Sequence, residues 1–179
     1  MTRALPTEAR ARRGGLPTLP DLLRPGLDLV FVGINPGERS AERGHYYGHP
    51  GNAFWRRLSA SPIVGREVSA LDDASMLAEG IGFTDVVKRV VTDSAQVTRA
   101  EFEAALPAFL ERIALASPGA VCFTATRPFE AVYPRAWRAR AWGRQDVASL
   151  AGAEVWVMPS PSGRAAGYHH AIDRVLADL

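Results

Sequence analysis

Three short apolar runs stand out along the chain, each ending where glycine, proline or polar residues begin. LDLVFVG, 27–33, is rich in Val and closes on Gly33, the pattern of a strand covered on both faces. AVCFTAT, 120–126, and EVWVMP, 154–159, read the same way, and Asp146–Ala148 adds weaker strand material. IGFTDVVKRVV, 81–91, fits a strand or a helix. Helical signals lie between these runs. Thr98 and Glu101 form a capping box, followed by Phe102, Leu106, Phe109, Leu110 and Ile113 at helical spacing and stopped by Pro118-Gly119. Asn52 caps a helix through AFWRRLSA, and Ser69 with Asp72 opens another that ends near Gly80. A short helix is predicted near Arg127–Tyr133, and AIDRVLADL closes the chain as a helix. NPGERSAERGHYYGHPGN, 35–52, reads as a long polar loop, and TDSAQ, 92–96, as a turn. Strand and helix in alternation predict an α/β fold, a three-layer α/β/α sandwich with a mostly parallel central sheet.

At 179 residues with 47% hydrophobic content, the chain suits one domain with a real core. Residues 1–18 are Arg-, Gly- and Pro-rich without periodicity and are expected to form a flexible basic arm, leaving 19–179 as a single domain. No run approaches the length of a membrane span, and the start has no apolar segment after its arginines, so a cytoplasmic protein is expected. The formal charge is +2, but residues 1–20 carry +3. The remainder is therefore slightly acidic, and any nucleic-acid contact must be local. One local candidate is PRAWRARAWGRQ, 134–145, with four Arg, two Trp and no acid.

The single cysteine, Cys122, lies in an apolar run and reads as buried filler; one thiol excludes a disulfide framework. Lys88 is the sole lysine, so a Schiff-base mechanism would have to use it or the amino terminus. His45, His49, His169 and His170 lack metal-ligand spacing and read as surface histidines; no metal and no cofactor is expected. There is no Walker loop, no GxGxxG and no GxSxG. Chemistry is therefore expected in the loops that leave strand ends: INPGERS, TATRPF and MPSPSGRAAG.

The strand followed by Gly33-Ile34-Asn35-Pro36-Gly37 resembles the mismatch-specific uracil/thymine DNA glycosylases, the second family of the uracil-DNA glycosylase superfamily. HYYGHPGNAFWRRL, 45–58, GFTDVVKR, 82–89, and WVMPSPSGR, 156–164, continue the resemblance in the family's order. It implies a four-stranded parallel sheet between helices, a DNA groove across the strand ends and a pocket for one flipped base. The partner implied is double-stranded DNA holding a G:U mismatch, bound by a monomer.

Breaking an N-glycosidic bond develops positive charge on the sugar and negative charge on the departing base. The attacking water needs positioning more than a strong base, and an amide can hold it. By resemblance Asn35 is that residue; otherwise it satisfies turn backbone before Pro36. Tyr47 falls where the family stacks an aromatic on the flipped base, and Ile34, Asp85 and Ser160 fall at base-pocket positions. Asp85 stands where thymine-type relatives commonly carry Asn; ionised, it accepts hydrogen bonds but cannot donate them. Ser162, Gly163 and Arg164 match the DNA-contacting segment, with Arg164 at the wedge position. Relatives there read MPSSSAR or NPSGLSR, and Pro161 is a departure that removes one amide donor. Asp93 is not given by the family motifs. It is either a second catalytic group that accepts the water's proton or steadies the oxocarbenium ion, or an Asx-turn or solvated loop acid. Two other functions compete: a DNA- or nucleotide-binding protein without chemistry, and an enzyme of free nucleosides. Asn35 with a pocket aromatic speaks against the first, and Arg164 with the Arg/Trp stretch against the second.

Overall fold

The computed structural model describes residues 15–137 and 141–179. Most of the predicted arm and the centre of the Arg/Trp stretch lie outside them. Four strands run parallel: β1 (Leu29–Gly33), β2 (Ile81–Asp85), β3 (Ala120–Phe123) and β5 (Glu154–Val157). A two-residue strand β4 (Gly143–Arg144) pairs antiparallel with β5, and the order across the sheet is β2-β1-β3-β5-β4. The chain leaves β1 toward one edge of the sheet and β3 toward the other, so the loops after these neighbouring strands diverge and open a crevice.

Side-chain alternation along β1 sorts the core into two layers. Leu29 and Phe31 point to the face covered by α2 (Phe54–Ser59) and α5 (His169–Asp178), where they meet Phe54, Leu58, Phe83, Ile172 and Val175. Val30 and Val32 point to the face covered by α3 (Arg99–Ala116) and α4 (Thr126–Val132), against Phe109, Ile113, Phe123 and Phe129. The three-layer α/β/α sandwich follows, and Cys122 is buried filler within it.

Five sequence expectations are corrected. The 35–52 loop contains a helix, α1 (Glu38–Arg43), entirely polar except for Ala41 and burying only Ser40 and Ala41. Ser69 and Asp72 do form a capping box, but over two short 3₁₀ turns (Ala70–Asp72 and Ser75–Glu79) that end at left-handed Gly80. The 81–91 run is a strand only to Asp85. Asp146–Ala148 is not a strand; the antiparallel edge lies earlier, at Gly143–Arg144. The last helix begins at His169, two residues ahead of the AIDRVLADL segment.

The α3 capping box forms as predicted. The Thr98 hydroxyl accepts from the Glu101 amide at 3.2 Å, and the Glu101 carboxylate accepts from the Thr98 amide at 2.9 Å. That carboxylate also binds the Arg89 guanidinium, and Arg89 with the Thr98 amide pulls it down to about 2. The helix start thereby holds the chain that follows β2. Thr98→Ala should lose about 1 kcal/mol, seen as a melting temperature lowered by roughly 2–4 °C in thermal unfolding.

Candidate active site

A cavity of about 510 Å³ opens where the carboxyl ends of the parallel strands meet. Ile34 and Asn35 reach it from the end of β1, Asp85 from β2, Thr124 from β3 and Ser160 from beyond β5, while the loop after α1 adds Tyr47. Of the nine sequence-predicted residues, all but Asp93 line this cavity. Asp93 sits at its rim, between the lining residues Thr92 and Ser94.

Asn35 is oriented by its donors. Its Nδ2 donates to three carbonyls, those of Pro36 at 2.9 Å, Val91 at 3.2 Å and Arg89 at 3.3 Å. With both amide hydrogens committed to backbone, Oδ1 is the remaining group; it is buried and has no partner among the described residues. A buried unpaired acceptor is costly, and such groups concentrate where a ligand or water completes them. Ile34 contributes through its backbone, its carbonyl accepting from the Val87 amide at 2.9 Å.

Tyr47 has a left-handed backbone, φ 51°, which a non-glycine residue adopts only when its surroundings hold it there. One face of its ring stacks on Phe54, with centroids 4.0 Å apart and planes 19° from parallel. Its hydroxyl lies 3.1 Å from Thr124 Oγ1, whose own proton goes to the Val32 carbonyl at 3.2 Å, so Tyr47 is the donor. Burial pushes this phenol well above its ordinary value, and the ring remains a neutral wall. Thr124 lies in the predicted TATRPF loop without having been singled out; only the fold shows that its hydroxyl anchors Tyr47.

Asp85 is buried, and desolvation pushes its carboxyl up to about 7, with Lys88 and Arg112 pulling down and Asp21 pushing up. The sequence offered no signal for Asp21. It takes Lys88 Nζ at 2.8 Å and Thr84 Oγ1 at 2.6 Å on one oxygen and faces Arg112 Nε at 3.2 Å with the other. Lys88, the sole lysine, is therefore committed to Asp21 and does not line the cavity.

At the mouth, Ser160 Oγ accepts from the Ser162 amide at 3.3 Å, and the Pro161 carbonyl accepts from the Ala53 amide at 2.8 Å. His169 is buried, with Nε2 3.0 Å from the Ser162 carbonyl, which corrects its reading as a surface histidine. Gly163 has an ordinary φ, and a Cβ there would come no closer than 3.6 Å to its neighbours, so internal packing does not require glycine. Arg164, 74% exposed, reaches back to Asp93 with Nη1 2.7 Å from Oδ1. The Asp93 carboxylate also accepts from the Ala95 amide at 3.0 Å, and these contacts hold it below the usual carboxylate range. An Asx turn is thus present at Asp93, joined to an ion pair. In the Arg/Trp stretch, Trp137 packs on Phe129 and Trp142, and Arg144 pairs with Glu154 at 3.1 Å.

The Asp85 carboxyl carries a pH signature. Folding raises it from an ordinary 3.8 to about 7, so between these values the folded state binds more protons than the unfolded state. Stability from this group is therefore full below about pH 4 and falls as pH rises through 7. Asp85→Asn should raise the melting temperature more at pH 8 than at pH 5, by a difference of a few degrees. Equal shifts at the two pH values in calorimetry would place the carboxyl in a solvated site.

A family model for the uracil DNA glycosylase superfamily matches residues 20–179. The fold is also similar to a solution NMR structure of a candidate uracil DNA glycosylase from Methanosarcina acetivorans, at 21% identity and a TM-score of 0.53, covering 89% of this chain and 98% of that one. With the match spanning nearly the whole described fold and its strand-end cavity, the chain belongs to the uracil DNA glycosylase superfamily.

Proposed function

We propose that the protein is a monofunctional glycosylase of mismatched double-stranded DNA, which flips uracil into the strand-end cavity and hydrolyses its N-glycosidic bond, leaving an abasic site. The observation that carries this reading is Asn35. Three backbone carbonyls hold its amide nitrogen, and its buried oxygen has no partner among the described residues. A water hydrogen-bonded to that oxygen would be aimed at the sugar without being deprotonated first, which suffices when the sugar is already cationic. Tyr47, backed by Phe54, offers a flat wall for the base, and such stacking is worth about 1–3 kcal/mol per base. Ile34, Asp85 and Ser160 complete the base pocket. Lys88 is bonded to Asp21, which favours hydrolysis by water over a lysine Schiff base.

Asp93 and Arg164 are read together. Arg164 enters the stack where the base has left, its guanidinium reaching O6 of the opposite guanine, while Ser162 and Gly163 let the backbone approach the duplex. When Arg164 leaves it, the Asp93 carboxylate at the cavity rim is free to accept the water's proton or steady the oxocarbenium ion.

Uracil-containing duplex incubated with the protein in chelator, then treated with alkali, should break at the uracil. Asn35→Ala should slow single-turnover excision by about 10²-fold or more with DNA binding intact. Absence of strand breaks with wild type, or an unchanged rate in the variant, would refute this assignment. Arg164→Ala should slow excision far more from duplex than from single-stranded DNA, where no hole needs filling. Equal mutant-to-wild-type ratios on the two substrates would remove Arg164 as a wedge.

A further inference from the structure

The hydrolysis above gives the Asp85 carboxyl a place in the pocket but no task. It lies at the end of β2, 4% exposed, and lines the cavity with Asn35, Tyr47 and Thr124. Its Oδ2 is buried without a partner among the described residues. Its Oδ1 stands over Gly33, where any Cβ would come within 2.2 Å, so glycine at the end of β1 makes the room this carboxyl occupies.

The charged and titratable groups packed around it are turned elsewhere. From α3, Arg112 donates Nη2 to the Asp85 backbone carbonyl at 2.9 Å and faces Asp21. From beyond β2, Lys88 is bonded to Asp21 and to the Tyr46 hydroxyl at 3.3 Å. Tyr46 in turn donates to the Pro20 carbonyl at 3.1 Å, and Tyr47 to Thr124. Asp21, from the segment ahead of β1, absorbs both cations. The Asp85 carboxyl is thus buried at a cavity wall with no donor assigned to it. A carboxyl so placed favours its neutral form, which offers one donor and one acceptor side by side.

We propose that Asp85 captures the flipped base as a carboxylic acid, its carbonyl oxygen accepting from N3–H of uracil while its O–H donates to the adjacent base carbonyl. This rests on the glycosylase reading and adds a protonation requirement to it. Ionised Asp85 still accepts from N3–H, but its second oxygen then faces a base carbonyl and repels it. Thymine presents the same edge. Cytosine presents the reverse pair, and a carboxylic acid matches that too by carrying its proton on the other oxygen. Asp85 therefore selects bases that carry a donor beside an acceptor, and discrimination among pyrimidines falls to leaving-group ability.

The test follows single-turnover excision of uracil from duplex DNA between pH 5.5 and 8.5, for wild type and Asp85→Asn. The wild-type rate should fall about tenfold per pH unit above the Asp85 titration near 7. The amide of Asp85→Asn donates and accepts at every pH, so its profile should be flat and its rate at pH 8 above the wild type's. Parallel profiles overturn the proposal. Affinity for duplex carrying 2′-fluoro-2′-deoxyuridine, which resists hydrolysis, reads capture without chemistry. Affinity that weakens with pH in wild type but not in Asp85→Asn supports the proposal even if no strand is cleaved, in which case the glycosylase reading alone fails. A pH-independent wild-type affinity overturns the proposal.

Discussion

Everything at the site depends on the parallel pairing of β1 with a strand on each side. A central parallel strand has both backbone edges occupied, and its neighbours can be reached only by crossovers. Those crossovers leave from one end of the sheet, so the residues that follow β1, β2, β3 and β5 are delivered to one place however far apart they lie in sequence. The register sets depth as well: Gly33 is paired with Asp85, which puts the glycine and the carboxyl that needs its space side by side.

What the strands place, the surrounding backbone orients. A bare asparagine can present either end of its amide to a cavity. Here the Arg89 and Val91 carbonyls take the nitrogen, and Arg89 is itself tied to the capped start of α3 through Glu101. The direction of one oxygen thus depends in part on a helix cap distant in sequence. Charge is arranged with similar economy. Asp21 takes the direct contacts of Lys88 and Arg112, so these cations act on the buried Asp85 carboxyl only from a distance, and desolvation outweighs their pull.

Much of this frame is legible in the chain. The runs at 27–33, 120–126 and 154–159 are apolar because both faces of their strands are covered, and Thr98 with Glu101 announces α3 by local chemistry alone. The elements that escape reading lack such local causes. ERSAER buries too little to show a stripe, and Gly143–Arg144 is a strand only because β5 lies beside it. The same division holds for the site. Motif resemblance and strand-end reasoning find Asn35, Tyr47, Asp85 and Ser160, which the fold gathers around one cavity. Asp21, Thr124 and the buried His169 act through partners 63, 77 and 7 residues away, and their neighbours in sequence give no hint of it.

Tyr47 carries a consequence for how the cavity meets its ligand. A residue with a left-handed backbone, clamped by ring stacking on one helix and by its hydroxyl on a strand end, is ordered during folding. The wall it forms stands before any base arrives, so the entropy of arranging that loop is spent once, in making the protein, and is not charged again at each encounter. On the function proposed above, capture on such a preorganised surface is limited by how readily the nucleic acid gives up a base. On that reading, lesions that already pair or stack poorly would be favoured by their own weakness, without the protein having to recognise them in the helix.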